Sequence, residues 1–247
     1  MTQSRTVVVA GGARGLGLAI ARRFTRAGAL AVIADRDQEA GPRAVESLRL
    51  EGQQAAFEPL DVRDPHQSQT LVERVVAERG AIDVWVNNAG ATHRGPAQTL
   101  PRSDWDDSLA SMLTGAFYCA QAVGAHMLAR GQGVIVNVAS VDAYQAIEGR
   151  VAASTAAAGL VMLTKALGIE WAPRGVRVVG IAPGPLQSDG RPDDIPAAVY
   201  EHRVPLRRLG SVEEAAEAVF FLASAEAAFV VGETMRVDGG WSAYHLF

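Results

Sequence analysis

The chain has 247 residues, a length that suits one large α/β domain. Apolar residues make up 49%, which excludes a disordered chain, and a net charge of −4 without a basic block argues against a nucleic-acid surface. The single cysteine excludes an internal disulfide and a cysteine-built zinc site. No signal peptide and no apolar run of about 18 residues is evident, so we expect a cytoplasmic protein without membrane contact.

Apolar strand-like runs alternate with segments of helical periodicity along the whole chain. The predicted elements, in chain order, are strand 5–10, helix 16–27, strand 30–34, helix 37–50, strand 54–58, helix 65–79, strand 82–86, helix 103–130, strand 133–138, helix 151–171, strand 176–181, a helix from 211 and strand 233–237. Continuously apolar strands separated by helices are typical of a parallel sheet covered on both faces. The pattern predicts one α/β domain over residues 1–247, a doubly wound Rossmann-type fold with a parallel seven-stranded sheet. The proline-rich segment 183–205 is predicted to be a substrate lid.

A glycine-rich turn directly follows the first strand and opens the first helix. It contains Gly11, Arg14, Gly15, Leu16 and Gly17. Glycines at such a position let backbone N–H groups approach a pyrophosphate at the helix N-terminus. Asp35 ends the second strand, 20 residues after Gly15, where a carboxylate accepts hydrogen bonds from the ribose hydroxyls. Together these features predict a dinucleotide site.

The spacing of these glycines resembles that of the short-chain dehydrogenase/reductase superfamily. Further segments agree with it along essentially the whole chain: Asp61-Val62, Asn87-Asn88-Ala89-Gly90, the strand VIVNVAS, Pro183-Gly184 and the ending GETMRVDGGW. The resemblance implies an NAD-type cofactor. It implies that Asp61 and Val62 hold the adenine and that Asn88, Ala89 and Gly90 lie along the adenosine ribose. It places the segment of Pro183, Gly184 and Leu186 at the nicotinamide.

Asp35 favours NAD over NADP in this resemblance, because a carboxylate repels a 2′-phosphate. Arg14 and Arg36 leave contact with such a phosphate open. Whether the cofactor is used in turnover also stays open at this point.

The resemblance also implies a catalytic set of serine, tyrosine, lysine and asparagine. Ser140 keeps the serine position, whereas the tyrosine and lysine positions hold Ala153 and Ala157, and the asparagine position holds Met112. Lys165, the only lysine, lies eight residues beyond the required position, about 12 Å along a helix. The standard mechanism, in which the lysine lowers the pKa of the tyrosine, is therefore not available.

Other polar residues are predicted to surround the substrate. The resemblance places His93, Asp142 and Arg150 in the substrate pocket with Ala153, whose small side chain we expect to open room for a bulkier ligand. Tyr144 follows Ser140 in the same loop and is the candidate substitute proton donor. No residues have the spacing of a metal site.

Three functions are compatible with this sequence. The first is an atypical, possibly non-redox enzyme that cyclises, isomerises or eliminates a small carbonyl-bearing metabolite of a bacterial biosynthetic pathway, with Ser140 as hydrogen-bond donor. The second is a non-catalytic pseudoenzyme, either a cofactor sensor or a partner subunit. The third is an NAD(P)-dependent oxidoreductase that uses Tyr144 or a water. We also expect a homo-oligomer, dimer or tetramer, paired through the helices predicted at 103–130 and 151–171.

Overall fold

Seven parallel strands form one sheet. The structure is a computed structural model that describes residues 5–187 and 201–243. The strands of this sheet are β1 (Thr6–Ala10), β2 (Leu30–Asp35), β3 (Ala55–Pro59), β4 (Val84–Asn87), β5 (Gly133–Val138), β6 (Val176–Pro183) and β9 (Thr234–Val237). Their order across the sheet is β3-β2-β1-β4-β5-β6-β9. Their apolar residues are buried because helices cover both faces, as parallel sheets require.

The helices divide between the two faces of the sheet. They are α1 (Gly15–Arg26), α2 (Ala40–Leu50), α3 (Pro65–Arg79), α4 (Arg102–Leu109), α5 (Gly115–Arg130), α6 (Val151–Trp171) and α7 (Val212–Leu222). On one face, Ile20, Phe24 and Leu48 pack with Val219 in one core cluster. On the other, Leu71, Val123 and Leu167 form a second cluster with Trp85. The predicted doubly wound fold is confirmed.

The long helix predicted over 103–130 is interrupted. A π-helical turn at Ala110–Thr114 separates α4 from α5. Such turns lie frequently at functional sites, and this one contains Met112. A short parallel pair, β7 (Leu186–Gln187) with β8 (Gly210–Ser211), is a further feature that the sequence pattern did not predict.

The start of α7 was predicted from its capping sequence. The Ser211 hydroxyl accepts a hydrogen bond from the Glu214 backbone N–H at 3.1 Å, and the Glu214 carboxylate accepts one from the Ser211 N–H at 2.8 Å. This is the reciprocal arrangement that satisfies two free N–H groups of a helix N-terminus.

Helix α6 and the turn that follows it, Val151–Arg174, are long and apolar enough to cross a membrane by length and composition alone. The expectation that no such run exists was therefore wrong. However, 44% of its most apolar stretch is buried inside the protein, and α6 packs against β5 and β6. This is the arrangement of a core helix.

The sheet order fixes where a ligand can bind. Strand β1 pairs with β2 on one side and β4 on the other, so the chain runs outward from β1 to β3 and then crosses back to add β4 beside β1. The switch point lies between β1 and β4. In open α/β sheets, ligands bind at such a switch point, outside the carboxyl ends of the strands. The central part of the predicted lid, 188–200, lies outside the described residues.

Candidate functional site

The glycine turn after β1 has the backbone geometry of a phosphate-binding turn. Gly11 has φ +78°, and a Cβ there would lie 2.7 Å from the Ala89 nitrogen. A Cβ on Gly17 would overlap the Gly11 carbonyl oxygen at 2.0 Å. Gly15, in contrast, has φ +50° and nothing within 4 Å of the Cβ position. Gly11 and Gly17 are needed for close packing, and Gly15 faces open space that a phosphate can approach.

The N-terminus of α1 leaves its first donors available. Arg14 is the N-cap residue and makes no side-chain capping hydrogen bond. The first intrahelical bond runs from the Leu18 N–H to the Arg14 carbonyl at 3.2 Å. The N–H groups of Gly15, Leu16 and Gly17 therefore precede the hydrogen-bonded part of the helix, where the helix dipole favours an anion. This donor set fits a pyrophosphate.

Asp35 stands at the carboxyl end of β2, beside the glycine turn. Its carboxylate accepts hydrogen bonds from the backbone N–H of Ala13 at 3.1 Å and of Asp37 at 3.0 Å. An ionised carboxylate has about four acceptor positions, so positions remain for ribose hydroxyls. Nearby, the Arg14 guanidinium pairs with Asp37 at 2.5 Å, while Arg36 is exposed at the rim.

A cleft of about 500 Å³ lies at the switch point and unites most of the predicted cofactor residues. Its lining includes Gly11, Arg14, Asp35, Arg36, Asp61, Val62, Asn88, Ala89 and Gly90. Gly15, Leu16 and Gly17 adjoin this cleft through the glycine turn without being among its lining residues. Pro183, Gly184 and Leu186 also do not line it among the described residues, and Leu186 instead pairs with Gly210 in the β7–β8 pair.

A network of charged side chains along this cleft was not predicted from the sequence. The Arg63 guanidinium binds Asp61, with Nη2 2.5 Å from Oδ2, and reaches Asp107 of α4 with Nη1 2.9 Å from Oδ1. Hydrogen bonding to Arg63 lowers the pKa of Asp61, and hydrogen bonding to His93 is the main cause that lowers the pKa of Asp107. The only sequence signal for these ion pairs was the position of Arg63, two residues after Asp61. No sequence signal indicated that Asp107 lies beside them.

His93 belongs to this network of charged side chains. Its Nε2 lies 3.0 Å from Asp107 Oδ2, and its Nδ1 lies 3.7 Å from Asp104 Oδ2. It lines the same cleft as Asp61, whereas Ser140, Asp142, Arg150 and Ala153 do not. The structure thus places His93 in the cleft at the switch point, where two carboxylates of α4 hold its ring, and not with the other predicted pocket residues.

Ser140 is held at the end of β5 by its own loop. Its hydroxyl oxygen accepts the backbone N–H of Asp142 at 3.2 Å, which fixes the side chain and leaves its O–H free to donate. Asp142 is buried and binds Arg150 with an N–O distance of 2.7 Å. This ion pair fastens the loop to the start of α6, so Asp142 and Arg150 position Ser140 and neutralise each other.

Tyr144 does not point to the carboxyl edge of the sheet. Its hydroxyl donates to the carbonyl of Thr234, the first residue of β9, at 3.3 Å, and its ring faces Arg236. Thr234 pairs with Gly180, three residues before the end of β6. Burial is the main cause that raises the pKa of Tyr144 above its ordinary value. The interpretation of Tyr144 as a catalytic proton donor disagrees with this geometry.

The positions that resemble the missing catalytic residues are closed. Ala157 is fully buried and packs in one apolar cluster with Met112, Ala139 and Leu160. Ala153 is only 2% exposed, so the expectation that it borders open room was wrong. The turn at Val141–Ala143 packs against α6, the helix that carries Ala153. Lys165, further along α6, is exposed.

Residues 11–242 match a protein family described as enoyl-(acyl carrier protein) reductase. Among curated relatives, gluconate 5-dehydrogenase of Gluconobacter oxydans is 35% identical over 94% of this chain and 93% of that protein. The 3-oxoacyl-[acyl-carrier-protein] reductase of Escherichia coli is 34% identical over 96% and 97% of the two chains. A solved short chain dehydrogenase from Bacillus anthracis superposes with a TM-score of 0.90 at 34% identity, with all of both chains covered.

Proposed function

Because this chain belongs to the short-chain dehydrogenase/reductase family, whose members bind a nicotinamide dinucleotide, we propose that it binds NAD(H) in the cleft at the switch point and works without the family's tyrosine–lysine proton relay. The similar curated proteins are dehydrogenases and reductases, which supports an enzyme of this fold. NAD is preferred over NADP because the Asp35 carboxylate stands at the ribose end of the cleft and repels a 2′-phosphate.

The apolar surroundings of Ala157 and Met112 support the absence of the tyrosine–lysine relay. The family resemblance places lysine at Ala157 and asparagine at Met112. Both residues are buried in one apolar cluster. A proton relay through these two positions needs polar side chains there, and neither Ala157 nor Met112 supplies one. Tyr144 does not replace the tyrosine, since its hydroxyl is bonded to Thr234.

The remaining chemistry centres on Ser140. Its free O–H can donate to a carbonyl oxygen and stabilise negative charge that develops there. We propose that the substrate is a small carbonyl-bearing metabolite and that the step is an atypical one such as cyclisation, isomerisation or elimination. The bound dinucleotide would supply or accept a hydride, or act as a structural ligand if the step is not a redox step.

A second candidate is an oxidoreductase in which Ser140 holds the carbonyl and a water supplies the proton. The similarity to dehydrogenases and reductases favours it. The closed apolar cluster is, in turn, compatible with a non-catalytic protein that senses the cofactor or joins a partner subunit.

Calorimetry with NADH and NADPH, followed by assays of NADH oxidation with a panel of ketones, tests the proposal. We expect NADH to bind with at least tenfold preference over NADPH, and no ketone-dependent oxidation. Asp35→Ala should remove most of the preference, whereas Glu217→Ala, which removes a carboxylate that pairs with Arg23 outside the cleft, should change it little. Absence of binding with both cofactors contradicts the proposal, and rapid ketone reduction favours the oxidoreductase.

We propose a cytoplasmic homo-oligomer, a dimer or tetramer, that contacts neither nucleic acid nor a membrane. Exposed apolar side chains on α5 and α6, Phe117, Met162 and Ile169, support a helix-paired interface. A monomeric mass by light scattering at micromolar concentration contradicts it.

A further inference from the structure

An ion pair lies beside the carboxylate of Asp35. Nη2 of Arg14, the N-cap residue of α1, is 2.5 Å from Oδ2 of Asp37. The backbone N–H of Asp37 donates to Oδ1 of Asp35 at 3.0 Å, so the ion pair and the Asp35 carboxylate are neighbours. All three residues line the cleft at the switch point. The ion pair therefore belongs to the part of the cleft that we assign to the adenosine ribose.

The Asp37 carboxylate is held in place by the backbone that follows it. Its Oδ1 accepts hydrogen bonds from the N–H groups of Ala40 at 2.8 Å and Glu39 at 3.1 Å, at the start of α2. These hydrogen bonds, with the one from Ala40 first, lower the pKa of Asp37, so the carboxylate is ionised at neutral pH. One carboxylate oxygen is thus bound to the backbone, and the other binds Arg14.

Arg14 would otherwise be available to an anion in the cleft. A guanidinium matches the geometry of a phosphate group and binds it with two parallel hydrogen bonds. The Arg14 side chain is 70% exposed, so packing does not hold it. Among the described residues, Asp37 is the one hydrogen-bond partner of this side chain. Arg36, in contrast, is exposed in the same cleft and forms no ion pair with any described residue.

We propose that Asp37 is a specificity-determining residue, which holds Arg14 and thereby withholds it from the 2′-phosphate of NADP. Asp35 repels this phosphate directly, whereas Asp37 acts through Arg14, so the preference for NAD has two separate sources. Arg14 can bind the phosphate only by leaving Asp37, and the loss of one contact offsets the gain of the other. This inference rests on the proposed function, because it concerns how the same cleft selects its dinucleotide.

A double-mutant cycle in the affinity for NADPH tests this role. Asp37→Asn keeps an oxygen for the N–H groups of Glu39 and Ala40 but removes the charge that holds Arg14. NADPH should then bind about fivefold more tightly, an effect of the size that one exposed ion pair can have. NADH has no 2′-phosphate, so its affinity should stay within about twofold. Dissociation constants come from nicotinamide fluorescence at one low ionic strength, because salt screens exposed charges.

The second half of the cycle removes Arg14. In the unmodified protein, Arg14→Gln should lower the affinity for NADPH by less than about twofold, because the guanidinium is already bound to Asp37. In the Asp37→Asn protein, the same change should lower it about fivefold, because Arg14 then contacts the phosphate. This dependence of one substitution on the other distinguishes a held arginine from two charges that act independently.

Two control variants separate this effect from a general change in charge. Arg36→Gln removes a cation that no described carboxylate pairs with, so its effect on NADPH binding should be the same with and without the Asp37 charge. Glu217→Gln frees Arg23 outside the cleft and should change neither affinity. Circular dichroism confirms that each variant is folded.

The outcomes distinguish this inference from the proposed function. Equal effects of Arg14→Gln in the two backgrounds overturn the inference, because Asp37 would then act only by direct repulsion. A loss of NADPH affinity of about fivefold from Arg14→Gln in the unmodified protein overturns it too, since Arg14 would be free already. In both cases NADH still binds and the proposed function stands. If neither dinucleotide binds the unmodified protein, the proposed function fails and this inference fails with it.

Discussion

Ala157→Lys restores the lysine of the family resemblance at a position that the structure shows to be closed. Ala157 is fully buried, and the side chains of its cluster, Met112, Ala139 and Leu160 among them, carry no hydrogen-bond acceptor except a thioether. A new ammonium group there loses its hydration, and the side chains of this cluster offer it no charged partner. We therefore expect the variant to be strongly destabilised.

The expected loss of folding free energy has two parts. Extra methylenes in a packed core cost about 1–3 kcal/mol. Holding a buried amine without a partner costs a further 4–7 kcal/mol or so at neutral pH, because burial lowers its pKa far below the ordinary lysine value. A domain of this kind has a total stability of about 5–15 kcal/mol, so the variant should be close to unfolding at pH 7.

Urea denaturation followed by tryptophan fluorescence measures the effect, and Ala157→Met is the matched control. Methionine has a similar length without the charge, so it should cost only the first part. The Lys variant should also regain stability as the pH rises toward the ordinary lysine pKa, because its unfolded state then binds fewer protons. Adding Met112→Asn, which supplies an amide oxygen, should recover part of the loss.

Equal stability of Ala157→Lys and Ala157→Met, or a stability of the Lys variant that does not depend on pH, would contradict this expectation. Either result would mean that the new amine reaches polar surroundings and that the site is still open. For the same reason, Ala153→Tyr with Ala157→Lys should not yield an efficient ketone reductase. Efficient NADH-dependent reduction by that double variant would show that the site was merely disabled.

Three further predictions concern stability and reactivity. Arg177→Ala should destabilise the protein by about 2–4 kcal/mol in urea denaturation, because the half-buried guanidinium donates to the carbonyl of Leu222, the last residue of α7, at 2.9 Å and to that of Ser224, two residues later, at 3.0 Å; a loss below 0.5 kcal/mol or so contradicts this. Glu214→Gln should cost about 1 kcal/mol at pH 7, since Arg208 and the helix cap lower the pKa of Glu214 to about 2. That contribution is present above the ordinary glutamate pKa and is lost as the pH falls toward 2, so the two proteins should converge in acid melts; a constant gap argues against it. Burial raises the pKa of Cys119 to about 12, so thiol reagents at pH 8 should label it only after unfolding, and rapid native labelling contradicts its burial beside Ser68.

The fold was largely predictable because its signals are local. Buried strands such as Thr6–Ala10 and Gly133–Val138 are continuously apolar, and their alternation with helices permits few topologies. The glycine turn was also local, since it depends on backbone conformations that adjacent residues determine. The break at Ala110–Thr114 was missed because the residues of a π-helical turn follow the same apolar pattern as an α-helix.

The doubly wound sheet thus follows from the sequence alone, which also predicts a dinucleotide turn with Asp35 and, through the family resemblance, the loss of catalytic side chains at Ala153, Ala157 and Met112. The surroundings of these three positions become visible only in the tertiary structure. It brings Met112 and Ala157, 45 residues apart in the chain, into one closed cluster.

The tertiary structure also turns the Tyr144 hydroxyl toward Thr234. It joins four charged or titratable side chains along one cleft: Asp61, Arg63, Asp107 and His93. The partners in these contacts come from different strands and helices. Which side chains meet there depends on how the helices pack on the sheet, and no local pattern in the sequence carries that information.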